Sequence, residues 1–432
     1  MAMVRPAHRI LASAAIVIAT VLVYHEALSA YFFDDDFQVL VSTWSFRPAQ
    51  LFDIAHRNHF YRPVLEVYFV AATALSNGSP AFLHLANIAL HAANGVLLLS
   101  LAYSMSGNAI YAFLAALVFV LQPSDMQAIA WVTALGEALG AFFGCLSLLA
   151  FLRFRRGGGV PWQLVSVAAL VLALLTHEGA VVFLVMLPLA DWAFVSAPAG
   201  QPAHAAQTSR LRTYLPYAAV STLYLVIDLP INSRSYLVSE GHYGFGIHIV
   251  THALDYIAAL YVGRQDAANY LLSAIAVGIL LWRGSRRVVF ATCWMLIALA
   301  PFVFFTWGNA SRYLYLPAMG FSMLVADGVL QIHRMLASHL SPRAANAATT
   351  LVAVAMMARF VVFDFQNLEG FIEQTESYRR YIGEFKQAHA TLAPHSRVVI
   401  DARAAEEHSL RFLTALVQWE YHDPTIELVA DP

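Results

Sequence analysis

Charge is scarce in this sequence: 12% of its 432 residues are Asp, Glu, Lys or Arg, against about 25% in a soluble globular domain. Lys386 is the single lysine, so almost all positive charge is arginine. The net charge of −2 says nothing about nucleic acid, but no basic tract suggests such a partner, and none is expected. Two cysteines, Cys145 and Cys293, each lie inside an apolar run and give neither a disulfide framework nor a CxxC metal site. Internal repeats, low-complexity tracts and a Gly-rich phosphate loop are also missing, and with them the signatures of solenoids and nucleotide-binding domains.

What the chain has in abundance is apolar sequence. Hydrophobic residues make up 59% of it, and the mean hydropathy is +0.62. A helix needs about 20 apolar residues to cross the hydrocarbon layer. By that measure the sequence predicts an all-α polytopic membrane protein with about eleven spans: 9–30, 81–103, 108–122, 128–152, 160–176, 179–196, 213–229, 268–282, 288–306, 313–332 and 345–363. The first, although flanked by Arg5 and Arg9, is too long for a signal peptide and lacks a small-residue cleavage site, so it reads as retained. Segments 160–176 and 179–196, separated only by His177 and Glu178, read as a tight hairpin.

Arginine placement orients the spans. Arg5 and Arg9, then Arg153, Arg155 and Arg156, then Arg210 and Arg212, then Arg283, Arg286 and Arg287, then Arg334 and Arg343 fall in alternate loops. By the positive-inside rule those loops are cytoplasmic. The loops holding Asp34–Asp36, Asp125 and Glu178, and segment 230–267, then lie outside. The expected site is a bacterial inner membrane, N-terminus cytoplasmic and C-terminus periplasmic. Residues 31–80 and 230–267 are too long for turns and are expected to hold short interfacial helices, among them the amphipathic stretch Ile247–Tyr261. Domain 1–363 would be the membrane part. Residues 364–432 would form a small extracytoplasmic α/β-like tail: helix at 366–390, strand at Arg397–Asp401, helix at 405–420.

Polar residues at the outer ends of spans are the chemical candidates. Three adjacent carboxylates, Asp34, Asp35 and Asp36, repel one another at a membrane surface, and one of them could take a proton from an attacking hydroxyl; they could equally mark an outside loop. In His59-Phe60-Tyr61-Arg62-Pro63, the Arg62 guanidinium matches a phosphate or else pairs with the acidic cluster. His84, Asn87 and His91 share one helix face, a pattern that suits hydrogen bonding between helices better than metal ligation. Asp125, Glu137, His177 and Glu178 lie towards the same side. Arg312 enters a span at its outer mouth, where it needs an anion; alternatively, with Tyr313 and Tyr315, it anchors the chain at headgroup level.

In chain order, Asp35-Asp36, Tyr61-Arg62-Pro63, Phe82-Leu-His84-Leu-Ala-Asn87-Ile-Ala-Leu-His91, Gln122-Pro123 with Ala130-Trp131-Val132 and Glu137, Thr176-His177-Glu178, and Arg312-Tyr-Leu-Tyr-Leu-Pro317 resemble the membrane part of the transmembrane and tetratricopeptide-repeat O-mannosyltransferases and their bacterial relatives. These belong to the GT-C glycosyltransferases. The resemblance covers about residues 10–330, and the Arg-Tyr-Leu-Tyr-Leu-Pro run is its most specific piece. Family members usually show His-Pro where this chain has Gln122-Pro123 and Lys-Glu where it has His177-Glu178, and the tetratricopeptide repeats are absent.

The resemblance implies an inverting, polyprenyl-phosphate-sugar-dependent hexosyltransferase. Asp35 or Asp36 would be the catalytic base, with Asp34 leaving the register open. Arg62 and Arg312 would hold the donor phosphate, while His59, Tyr61, His84, Asn87, Asp125, Glu137, His177, Glu178 and Tyr313 would shape the site. The partners are a lipid-linked sugar donor, a protein, lipid or glycan acceptor, and membrane lipids. No metal or other cofactor is predicted. The competing readings are a transporter or flippase of lipid-linked sugars and an inactive GT-C scaffold.

Overall fold

The computed structural model describes residues 6–57, 60–195, 203–307 and 310–431. A first long helix α1 (Pro6–Tyr24) is followed by an outer segment with α2 (Asp36–Trp44), a 3-10 turn at Pro48–Phe52 and α3 (Pro63–Ser76). Then come α4 (Pro80–Ser106), α5 (Ala109–Val120), the short α6 (Met126–Ala130), α7 (Leu135–Arg153), α8 (Val160–Leu174) and α9 (Phe183–Phe194). After α10 (Ala203–Asn232), two outer helices, α11 (Tyr236–Ser239) and α12 (His248–Leu260), lead to α13 (Ala267–Arg283), α14 (Arg286–Leu299), α15 (Tyr315–Ala337) and α16 (Pro342–Ala388). The tail adds β1 (Arg397–Ile400), α17 (Ala402–His408), α18 (Leu410–Tyr421) and β2 (Glu427–Ala430).

Each of the eleven apolar segments contains a helix, though 128–152 is split between α6 and α7 and 288–306 is helical only as far as Leu299. Among the described residues only six helices are long and apolar enough to cross a membrane, or seven if the bent pair α5–α6 counts as one span. The expected short helices are present: α2 and α3 within 31–80, and α12 over the amphipathic stretch. The expected tight hairpin is not. A five-residue 3-10 turn, Glu178–Val182, separates α8 from α9, and both helices pack on α7. In the tail, the expected strand pairs in parallel with β2, Arg397 opposite Glu427. No helix ends at 363; α16 runs unbroken for 47 residues, from apolar sequence into the polar tail.

Local chemistry sets the boundaries. Pro342 at the start of α16 has no N–H to satisfy, and Ser341 caps the first turn by accepting from the Ala344 N–H. Asn108 caps α5 by accepting from the N–H groups of Ile110 and Tyr111. Pro123 disfavours helix at Gln122, which turns extended (φ −84°, ψ 114°), and the chain bends by 46° between α5 and α6. That bend aims Trp131–Thr133 back towards the acidic cluster.

Polar groups tie the bundle internally. The Asn87 amide donates to the carbonyls of Ile129 and Trp131, both at 3.2 Å, fastening α4 to the bend. His91 and Asn94 each meet the Tyr315 hydroxyl at 2.9 Å, which joins α4 to α15. Such bonds hold helices together where lipid removes the hydrophobic drive. A methyl group at Gly95 would strike Val120 and Ile16, so only glycine lets α1, α4 and α5 approach as they do. At one end of the bundle the arginines gather: Arg9 lies over the Tyr103 ring, Arg156 donates to Ser104, Arg155 pairs with Asp191, and Arg287 with Asp327. A second apolar cluster at the other end packs α2 and α3 against the tail through Phe32, Phe37, Leu40, Leu413 and Leu416.

Candidate active site

The turn Phe33–Asp36 gives its three carboxylates three different surroundings. Asp34, in the left-handed region at φ 46°, accepts a hydrogen bond from the Tyr378 hydroxyl of α16. Asp36 is buried, and its two oxygens accept from the backbone N–H groups of Phe33 (3.0 Å) and Thr133 (2.8 Å). Asp35 accepts from the Thr133 hydroxyl at 2.7 Å and faces open space. Burial pushes the proton affinity of all three upwards. For Asp35, the Thr133 hydrogen bond and the Arg312 charge offset part of that rise.

Asp35 stands where two cavities meet. An inner chamber of about 140 Å³ is lined by Asp35, Arg62, Trp131, Glu137, His177, Glu178, Arg312 and Tyr313, together with Tyr236, Phe302, Phe305 and Trp307. An outer vestibule of about 720 Å³ opens beside it between α2, α3 and the tail. Asp35, Phe60, Arg62, Thr133 and Tyr236 line both. A group held at Asp35 can therefore be reached from either side.

The two candidate arginines differ. Arg62 does not pair with the acidic cluster; it grips Glu178 with two parallel bonds, Nε to Oε2 at 2.8 Å and Nη2 to Oε1 at 2.5 Å, and lies 4.1 Å from the Phe60 ring centroid. Burial would raise the Glu178 carboxyl, but the Arg62 charge beside it prevails and holds it at about 2. Arg312 has no carboxylate partner among the described residues. Its guanidinium lies 4.8 Å from the ring centroids of both Trp131 and Tyr313 and donates to the Tyr313 hydroxyl at 3.1 Å. Among the described residues it is the chamber arginine outside any ion pair, although its charge reaches Asp35.

His177 Nε2 lies 3.4 Å from Glu137 while its Nδ1 accepts from the Gly179 N–H, so the turn after α8 orients the ring. Burial lowers His177 to about 4, leaving it neutral near pH 7. Tyr313 stacks on Phe302 at 4.4 Å, and Trp307 packs against Phe305 and Tyr236 to continue an aromatic wall.

Six expected site residues among those described do not line the chamber: Asp34 and Asp36, which flank Asp35 in its turn, and Tyr61, His84, Asn87 and Asp125. Tyr61 braces the outer loop through the Leu51 carbonyl. His84 and Asn87 are buried between helices, and Asp125 is buried beside Asp364. His59 lies outside the described residues. Thr133, Tyr236, Phe305 and Trp307 line the chamber with no motif of their own to mark them. The first sits two residues beyond Trp131, Tyr236 stands alone in an outwardly unremarkable Arg-Ser-Tyr-Leu-Val stretch, and Phe305 and Trp307 fall in an aromatic run that reads equally as core. Among the described residues no group of three or more His, Cys, Asp or Glu is placed to hold a metal ion.

No protein-family model and no curated protein matches the chain. Solved structures do. The apo form of ArnT from Cupriavidus metallidurans superposes with a TM-score of 0.51 at 15% identity, over 97% of this chain and 89% of that one. The Archaeoglobus fulgidus oligosaccharyltransferase AglB, in complex with an inhibitory peptide and a dolichol-phosphate, gives 0.52 at 10% identity, over 97% of this chain and 64% of that one. The apo form of the A. fulgidus enzyme gives 0.54 at 11% identity, over 100% of this chain and 65% of that one. This chain thus spans about two thirds of the archaeal protein's length. At these identities the likeness is one of fold alone, shared over nearly the whole of this chain.

Proposed function

We propose that this chain is an integral-membrane inverting glycosyltransferase that moves a single sugar from a polyprenyl-phosphate carrier to an acceptor hydroxyl on the periplasmic face of a bacterial inner membrane. The observation that carries the reading is Asp35, a carboxylate of raised proton affinity at the junction of two cavities, with Arg312, which makes no ion pair among the described residues, in the inner one. Support comes also from the shared fold and from the dolichol-phosphate bound to the archaeal oligosaccharyltransferase.

In this mechanism the donor phosphate sits against Arg312 in the chamber. Asp35 takes the proton of the acceptor hydroxyl, the oxygen forms a bond to the anomeric carbon, and the bond from that carbon to the phosphate oxygen breaks. The leaving lipid phosphate keeps the electron pair. Arg312 meets the charge where it develops, which is where a fixed cation lowers a barrier most. Attack from the face opposite the phosphate inverts the anomeric centre. Arg62, already paired with Glu178, acts through that pair to fix the wall that Glu137 and His177 complete, and the aromatic wall excludes water. Asp34 and Asp36 hold the base turn.

A transporter or flippase would bind lipid-linked sugar without breaking a bond. A panel of polyprenyl-phosphate hexoses incubated with the purified chain and mixed acceptors, read by mass spectrometry, separates the two. At least one donor should yield transferred hexose and free polyprenyl phosphate. Donor binding without any bond cleavage across the panel would favour the transporter.

A further inference from the structure

The outer vestibule carries its own chemistry. Gln38, Ser42, Thr43 and Gln50 bring neutral hydrogen-bonding groups to its walls, and Phe46 and Phe412 bring rings. That combination suits sugar hydroxyls and the apolar faces of pyranose rings. At about 720 Å³ the space holds more than a single sugar.

The charges there are nearly all spoken for. Arg57 is held by Glu66 through two bonds, at 2.5 and 2.9 Å. Arg62 is held by Glu178, and His56 lies 2.7 Å from Asp53. Arg411 differs. It projects from the first turn of α18, is exposed, lies 4.5 Å from the neighbouring Phe412 ring centroid, and has no carboxylate partner among the described residues. Its field reaches Asp34 and Tyr236. Asp35 thus shares the chamber with Arg312 and the vestibule with Arg411, two arginines without carboxylate partners among the described residues.

We propose that the vestibule seats the acceptor and that Arg411 selects a glycan carrying an anionic group, a carboxylate or a phosphate, near the hydroxyl that receives the sugar. This assignment rests on the transferase reading for the meaning of "acceptor". The binding site itself stands on the vestibule alone. The C-terminal segment thereby takes part in recognition: α18 closes the vestibule and supplies its cation, an arrangement the tail achieves by packing on α2. A guanidinium offers carboxylate or phosphate two parallel donors, and stacking against a ring holds the fork in place.

The test is equilibrium binding to the full-length chain in nanodiscs, without donor, of three probes: maltotriose, trigalacturonate and a phosphorylated maltotriose. Wild-type protein should bind one of the charged probes at least about tenfold more tightly than maltotriose, and which one identifies the anion. Arg411→Gln should weaken that charged probe by about 10- to 150-fold, the worth of a charge-assisted hydrogen bond, and so erase the preference. Arg411→Lys should keep part of it, and Arg403→Gln, which removes an exposed charge from α17 outside the vestibule, should keep all of it. Thermal melts of each variant separate lost recognition from lost folding. Equal binding of charged and neutral probes, binding of none, or a preference that survives Arg411→Gln in a folded protein would overturn the proposal. A chain that shows the preference but transfers no sugar would sink the transferase reading alone; one that transfers sugar without the preference would sink this one.

Discussion

Arg312 and Asp35 share one small chamber, and the charge of the first bears on the proton affinity of the second. Asp35 works as a base only when deprotonated, so transfer should fall as pH drops through its pKa, above the ordinary Asp value of about 3.9. Replacing Arg312 with Gln removes a cation that favours the carboxylate, so the acid limb should move to higher pH; pH profiles of the two proteins check this, and coincident limbs would detach Arg312 from the base. Donor affinity should fall by about 10- to 150-fold in Arg312→Gln and recover only in part in Arg312→Lys, because an ammonium lacks the planar fork. Full rescue by Lys would instead mark a headgroup anchor. Asp36 has a different office. Asp36→Ala strands the N–H groups of Phe33 and Thr133, at about 1–3 kcal/mol for each buried unsatisfied group, so its main signature should be a lowered melting temperature. The acidic cluster is legible in the sequence, but the division of labour within it is not. The partners that distinguish the three carboxylates, Thr133 and Tyr378, stand 98 and 344 positions away from them. Arg62 is hard to read for the same reason: its partner is Glu178, 116 positions away, and not the nearby acids.

Individual helices carry the site through their ends and interruptions. The proline bend after α5 turns Trp131 and Thr133 towards Asp35, and the turn after α8 presents His177 and Glu178. Apolar run length marks eleven of the helices but overstates how many can cross a membrane, because only six of them, or seven with the bent pair, are long and apolar enough. The tail boundary is harder to read. Composition changes near 363, yet α16 continues to Ala388; polarity marks where a helix leaves the apolar layer, not where it ends. That continuity delivers Tyr378 to Asp34. Tyr378→Phe should cost about 0.5–1.5 kcal/mol of stability, the net worth of one hydrogen bond, and also lower turnover by freeing the base turn, while donor affinity stays near wild type. A loss of stability with unaltered turnover would show that α16 braces the fold without positioning the base.

Across the molecule, the arginine-rich end and the acidic, cavity-bearing end are opposite poles of one bundle, and on the proposed reading the positive-inside rule turns the first towards the cytoplasm. Single cysteines placed at 157–159 and near 400 in a background lacking Cys145 and Cys293 should be labelled from opposite sides of sealed vesicles. Labelling from the same side would break the assembly of chamber, vestibule and tail on one face. In the proposed mechanism that assembly delivers an acceptor hydroxyl to Asp35, and one comparison reaches the chemistry directly: single-turnover sugar transfer by wild type and Asp35→Asn, with donor binding measured on the same preparations. Transfer should slow by about 10²- to 10⁴-fold, the usual contribution of a general base, with donor affinity nearly unaltered. Transfer at the wild-type rate by Asp35→Asn would remove this carboxylate from the reaction.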